Sequence, residues 1–234
     1  MDSAEARIRE NLQRIRTEVA EAAAARGRDA ASVRLVAVTK SVGLPEMLAL
    51  AALGQRDFGE NRVEQLARRA AEPALRHFQP DWHMIGHVQR RKVRDLLPLV
   101  ALVHGVDSVR LAEEIHHRAE AAALAPAPVL LEVNVSGEEQ KFGLRPEETL
   151  EAARHVAALG HVDLRGLMTM APLVDDPELA RPVFRGLREL RDRINDARAT
   201  PQPLVELSMG MSQDYRVAVE EGATLIRVGT ALFA

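Results

Sequence analysis

Along residues 3–26, Ile8, Leu12, Ile15 and Val19 fall on one helical stripe with arginines and glutamates between them, and Gly27 follows. That pattern predicts an amphipathic helix with a glycine stop. The period then changes. Arg34-Leu35-Val36-Ala37-Val38-Thr39-Lys40 is a short apolar run ending on a lysine. It reads as a strand over 34–40 buried on both faces, as the strands of a parallel sheet are. Pro45-Glu46 opens a helix that Gly54 closes. The same unit recurs, with strands over 55–61, 82–87, 100–106, 129–135, 162–170, 204–207 and 224–228. Each strand except the last precedes a helical stretch, and Asp107 or Ser108 stands ready to cap the helix after the fourth.

Eight strands alternating with helices predict an α/β fold, a (β/α)8 TIM barrel with one extra N-terminal helix over 1–27 packed on it. No linker or low-complexity stretch divides residues 1–234, so a single domain is expected. An open doubly wound sheet is the competing architecture, but the first strand lacks its Gly-rich turn.

Composition narrows the functions. Hydrophobic residues make up 47% and aromatics only 3%, so the core must be aliphatic. A net charge of −3 provides no global field to recruit nucleic acid or an anionic membrane. The absence of cysteine excludes disulfides, thiolate catalysis and Cys-based zinc sites. The chain is charged from Asp2 onward and has no apolar run long enough to span a bilayer, so a soluble cytoplasmic protein is expected.

Barrels of this kind carry their chemistry at the C-terminal ends of the strands. Placed there are Lys40, Asn61, His87, Asn134, Met168, Met170, the segment Ser208-Met209-Gly210-Met211-Ser212, and Arg227 to Thr230. Burial of Lys40 at a strand tip would favour the neutral amine that attacks carbonyls, whereas a snorkelling lysine is the plain alternative. The loops after strands seven and eight are the common phosphate site of such barrels. Here Gly210 and Gly229 would admit an anion close to the backbone, and Ser208, Ser212 and Thr230 offer hydroxyls. Ser212 is also placed to cap the helix over 213–222. Ordinary caps and turns would read the same way.

A phosphate site facing a lysine points to a phosphorylated carbonyl compound held as a Schiff base. Pyridoxal phosphate and a class I aldolase's sugar phosphate both fit. Arg227, read as pointing into the mouth, favours the first, because a permanently charged guanidinium can donate to a pyridine nitrogen. That would keep the nitrogen unprotonated and weaken the ring as an electron sink. A structural salt bridge is the alternative role for Arg227.

Six segments carry a specific resemblance: Ala37-Val38-Thr39-Lys40, Phe58-Gly59-Glu60-Asn61, Trp82-His83-Met84-Ile85-Gly86-His87-Val88-Gln89, Arg165-Gly166-Leu167-Met168-Thr169-Met170, Leu207-Ser208-Met209-Gly210-Met211-Ser212 and Arg227-Val228-Gly229-Thr230-Ala231-Leu232-Phe233. In order and spacing the chain resembles the pyridoxal phosphate homeostasis (YggS, or proline synthase co-transcribed) family over essentially its whole length. The resemblance implies a barrel similar to the N-terminal domain of alanine racemase, with pyridoxal 5'-phosphate bound covalently to Lys40 and Arg227 facing the pyridine nitrogen. It further implies phosphate contacts from Ser208, Ser212, Gly229 and Thr230, with Asn61 near the ring. The family is implicated in homeostasis of the free cofactor, with no established turnover. Two departures stand out: Ser41-Val42-Gly43-Leu44 precedes Pro45 where the family has a proline soon after the lysine, and Phe233-Ala234 replaces a common Phe-Gly.

Other candidates read as structural. His83 and His87 lie on a strand and share no helical face, so a metal site is not expected. His116-His117 reads as a solvated helix face, and Arg90-Arg91-Lys92 as an exposed one without the aromatic platform nucleic-acid binding uses. Tyr215 reads as packing. With no second domain to bring an acid or base to the far side of the cofactor, a carrier is favoured over a weak amino-acid racemase or lyase. A monomer delivering pyridoxal phosphate to apo-enzymes is the resulting expectation.

Overall fold

The computed structural model describes residues 3–138 and 140–234. Eight parallel strands close into a barrel in chain order. They are β1 Arg34–Val38, β2 Asp57–Glu60, β3 Asp81–Met84, β4 Leu102–Val106, β5 Ala127–Glu132, β6 Val162–Met168, β7 Glu206–Ser208 and β8 Leu225–Val228. The helices are α1 Ser3–Ala24, α2 Leu44–Ala52, α3 Val63–Ala71, α4 Pro73–Arg76, α5 Val93–Leu96, α6 Val109–Ala121, α7 Thr149–Ala157, α8 Arg181–Asp196, α9 Tyr215–Glu220 and α10 Thr230–Phe233. Among the described residues no helix is long and apolar enough to cross a membrane.

Several strands stop short of their apolar runs, and this moves the expected site residues onto turns. The Thr39 N–H still reaches Gly59 O at 3.1 Å, but the Val42 N–H closes back on Thr39 O at 3.2 Å, so the chain has already turned at Lys40. Asn61, His87 and Met170 likewise follow the tips of β2, β3 and β6. The last strand is followed by the one-turn helix α10, where the sequence pattern predicted none. Ser108 caps α6 as anticipated, accepting from the Leu111 N–H at 3.3 Å.

Side chains alternate along each strand. Ala37, Phe58, Trp82, Val103, Val129, Leu131, Leu207 and Ile226 point outward and join the helices in the main core. Helix α1 adds Ile8, Leu12, Ile15 and Val19 to that core, packed against α2, α9 and α10. Pointing inward, Val36, Leu102, Leu130, Met168 and Leu225 form a separate plug within the barrel. Burial of each such side chain is worth ~2 kcal/mol.

Two residues beyond Leu102, Leu130 and Leu225, on the same inward faces, stand His104, Glu132 and Arg227, and Ser208 joins them from β7. All four are buried. A barrel filled for stability alone would carry aliphatic residues there, since an unsatisfied buried polar group costs ~1–3 kcal/mol. Burial and the neighbouring Asp107 carboxylate push the Glu132 carboxyl up to about 7, against the opposing pull of Arg227 and His87.

The fold generates two expectations. The folded-state pKa of Glu132 is raised, so its contribution to stability is complete below about 4.5 and disappears as pH climbs through about 7. In urea unfolding, Glu132→Gln should gain on the parent by roughly 2 kcal/mol between pH 5 and 8; a pH-independent difference would contradict the burial. Gly166 packs so closely on β7 that a Cβ would lie 1.9 Å from the Glu206 carbonyl oxygen. Gly166→Ala should therefore lose at least about 3 kcal/mol in the same assay, and a loss below about 1 kcal/mol would show that the strands can part.

Candidate functional site

The turn carrying Lys40 is pinned through its backbone. Thr39 Oγ1 donates to Glu60 Oε1 at 2.7 Å. From α3, Gln65 donates to the Lys40 carbonyl at 3.0 Å and Arg69 to the Val42 carbonyl at 2.6 Å. The Lys40 side chain itself is exposed. This corrects the expectation that its stem lies in the core: β1 ends two residues earlier, so burial is not what would activate the amine. Glu60 beside it is fully buried, with Oε2 unpartnered. Burial raises its pKa, against the Thr39 hydrogen bond and the Arg69 charge.

Across the mouth, Arg227 is 4% exposed. Its Nη1 donates to Ser208 Oγ at 2.5 Å and its Nη2 to the Thr169 carbonyl at 2.9 Å. No carboxylate among the described residues lies within salt-bridge distance of it. Burial lowers its pKa to about 10, against the raising influence of Glu132 and Asp214, so it remains a cation at neutral pH. Its Nε has no side-chain or backbone acceptor among the described residues, which leaves donor capacity for a ligand.

The strand-seven loop departs from expectation at Ser208 and Ser212. Ser208 is fully buried, and its hydroxyl is shared between Arg227 and His104 Nδ1, the latter at 2.8 Å. It points into the barrel interior beneath the mouth, because β7 is short and its last residue faces inward. Ser212 does not cap α9; its Oγ accepts from the Gly229 and Ala231 N–H groups, each at 3.2 Å, and so closes the first turn of α10. Gly210, at φ +91°, is needed for packing: a Cβ there would come 2.5 Å from that of Ala218.

Lys40, Asn61, Ser212, Arg227, Gly229 and Thr230 line one cavity of about 370 Å³, closed on its apolar sides by Val38, Ile85, Met170 and Met211. Of the residues expected to hold the cofactor, Ser208 alone does not line it. Gly86 also lines it and keeps Asn61 close, since a Cβ at 86 would meet the Asn61 carbonyl oxygen at 2.5 Å. Asn134 turns instead into its own loop, donating to the Glu138 carbonyl at 2.8 Å. His87 stands at the rim, bonded to Asp107 at 2.8 Å and stacked on Phe142 with ring centres 4.4 Å apart.

Other residues lie outside the mouth. Tyr215 is buried and donates its hydroxyl to Glu18. His116, His117 and Glu120 on α6 bring ligand atoms within 4.8 Å of one another, although His116 Nδ1 already accepts from the His161 N–H. The sequence reading missed His104 and Glu132. The available signal was a polar residue at an inward position two places beyond a plug leucine.

Comparison with known proteins accords with this geometry. The family profile described as the alanine racemase N-terminal domain matches residues 5–234. A pyridoxal phosphate homeostasis protein of Aquifex aeolicus is 40% identical over 96% of each chain. The crystal structure of an unknown protein from Bifidobacterium adolescentis is 38% identical and superposes with a TM-score of 0.88, covering 100% of this chain and 97% of that one. PipY of Synechococcus elongatus, solved with pyridoxal phosphate bound, is 34% identical with a TM-score of 0.79, covering 92% of this chain and 100% of that one. With the profile matched over residues 5–234 and a relative 40% identical over nearly full length, the chain belongs to the pyridoxal phosphate homeostasis protein family, built on the alanine racemase N-terminal domain.

Proposed function

We propose that this chain binds pyridoxal 5'-phosphate in the barrel mouth, attached at Lys40, and holds it for delivery rather than turning over a substrate. The observation that carries the reading is the single cavity that unites an accessible amine, a buried cation with spare donors and the Ser212–Gly229–Thr230 corner. Its volume of about 370 Å³ falls within the range of small-molecule sites. PipY, similar over nearly the whole chain, was solved with this cofactor.

When bound, pyridoxal phosphate supplies an aldehyde that condenses with a primary amine. In this reading Lys40 provides that amine and Arg227 turns its free N–H donors toward the ring nitrogen. Ser212, Thr230 and the backbone at Gly229 hold the phosphate, and Asn61 lies beside the ring. Ser208 leaves the phosphate set, since both partners of its hydroxyl lie inside the barrel. A guanidinium facing the ring nitrogen disfavours its protonation and weakens electron withdrawal, which suits storage better than carbanion chemistry.

Lys40 and Arg227 are the only charged residues lining the cavity, among the described residues. Two-base chemistry needs a second proton carrier on the opposite face, and Arg227 does not give up its proton at working pH. A weak racemase or lyase using Lys40 alone is the second reading. We assign the recipients to apo forms of pyridoxal phosphate enzymes, reached by a cytoplasmic monomer.

After incubation with pyridoxal phosphate and desalting, the parent should keep a visible absorption band that Lys40→Ala loses; no band in either protein would sink the reading. Amino-acid racemisation or lysis by the parent that vanishes in Lys40→Ala would favour the enzyme. The phosphate corner should make the parent prefer pyridoxal phosphate to pyridoxal by about 100-fold or more, given several charge-assisted hydrogen bonds. Ser212→Ala with Thr230→Val should erase most of that preference in a titration, and equal affinities in the parent would place the phosphate elsewhere.

A further inference from the structure

We propose that Asp57, His83 and His104 act through Ser208 as positioning residues for Arg227, forming a single-file hydrogen-bonded chain that holds the mouth's guanidinium from the floor of the barrel. The inference rests on the reading of the mouth as a pyridoxal phosphate site. It concerns residues on β2, β3, β4 and β7 that do not line the cavity.

The chain is continuous. Arg227 Nη1 donates to Ser208 Oγ at 2.5 Å, and Ser208 Oγ lies 2.8 Å from His104 Nδ1. His104 Nε2 lies 2.9 Å from His83 Nδ1, and His83 Nε2 lies 2.9 Å from Asp57 Oδ1. Below Asp57, Arg34 bridges it to Glu206 at the N-terminal end of the barrel, at 3.5 and 3.1 Å. His83, His104 and Ser208 are at most 1% exposed, so no solvent relay competes with these bonds.

Only one proton arrangement satisfies every atom. Arg227 can only donate, and an ionised Asp57 can only accept. Burial would raise the Asp57 pKa, but the His83 hydrogen bond and the Arg34 charge act against it, and the carboxyl lies below its ordinary value. His83 therefore donates from Nε2 and accepts at Nδ1. His104 then donates from Nε2 and keeps Nδ1 free to accept, and burial, followed by nearby positive charge, holds it to one proton. Ser208 gives its hydroxyl hydrogen to His104 and presents its lone pairs to Arg227. With the opposite polarity the Ser208 hydrogen would have no acceptor among the described residues, an unsatisfied donor in a dry interior.

The consequence reaches the mouth. The guanidinium is held at two corners, Ser208 Oγ and the Thr169 carbonyl, and this aims its remaining donors into the cavity. An aliphatic residue at 104 would fill the space more cheaply, but the Ser208 hydrogen would then lose its acceptor, and nothing would fix the hydroxyl with its lone pairs toward Arg227. Direction, rather than stability, is what the two histidines supply.

The test has two arms. In the ligand-free protein, histidine 15N NMR should show His83 and His104 each protonated at Nε2 alone; an Nδ1 proton on either would overturn the chain. In pyridoxal phosphate titrations, His104→Leu and Ser208→Ala should each weaken binding by about tenfold. The double variant should be no weaker than the worse single, and His104→Asn, which keeps an acceptor for Ser208, should recover most of the loss. Unchanged affinity in both single variants, or additive losses, would overturn the proposal. Should His104→Leu fail to fold by circular dichroism, Ser208→Ala compared with His104→Asn decides the same question. A parent that retains no pyridoxal phosphate would instead defeat the reading of the mouth, and the NMR result would still decide whether the chain exists.

Discussion

A guanidinium buried in the barrel, with no carboxylate in contact among the described residues, is the constraint around which the site is built. Removing such a charge from water is expensive unless hydrogen bonds replace hydration. Arg227 obtains two, from Ser208 and the Thr169 carbonyl, while Glu132 and Asp214 act on it only through space. Its own backbone N–H is taken by the Gly210 carbonyl at 3.0 Å, which ties the loop after β7 to β8. The plug of Val36, Leu102, Leu130, Met168 and Leu225 excludes water from the barrel interior beneath it. A cation so placed is poised for an acceptor arriving from the mouth.

The opposite wall follows other physics. Lys40 is exposed, and the bonds that fix its position reach its backbone from α3 and from the Thr39–Glu60 pair. One wall is therefore rigid and dry, and the other is accessible to water and to an incoming acceptor. That asymmetry fits a protein that must both retain a cofactor and give it up. It also explains why the mouth is poor in acid–base groups: among the described lining residues, nothing stands ready to exchange a second proton.

Much of the architecture was legible in the sequence because its patterns are local. The stripe of Ile8, Leu12, Ile15 and Val19 and the apolar runs that became β1 to β8 declare their periods directly, and all eight strands form. The strand-end rule also brought Lys40, Asn61, Ser212, Arg227, Gly229 and Thr230 to one cavity. What the sequence could not convey was depth along the barrel axis. An apolar run does not say where its ladder stops, so Lys40 read as buried although it lies on an exposed turn. Ser208 and Ser212 read as equivalent hydroxyls, yet one faces inward at the end of β7 and the other caps α10. The links among His83, His104 and Ser208 join three strands across the barrel, and no spacing along the chain encodes such contacts.

The most direct test of pyridoxal phosphate binding at Lys40 is a crystal structure of the protein grown with that cofactor. Expected are density continuous with Lys40 Nζ, an Arg227 N–H within hydrogen-bond distance of the ring nitrogen, and the phosphate against Ser212, Gly229 and Thr230. Ser208 should remain beneath the ring, still bonded to Arg227. Cofactor bound away from the mouth, or bound there with Lys40 free and Arg227 turned from the ring, would contradict this assignment.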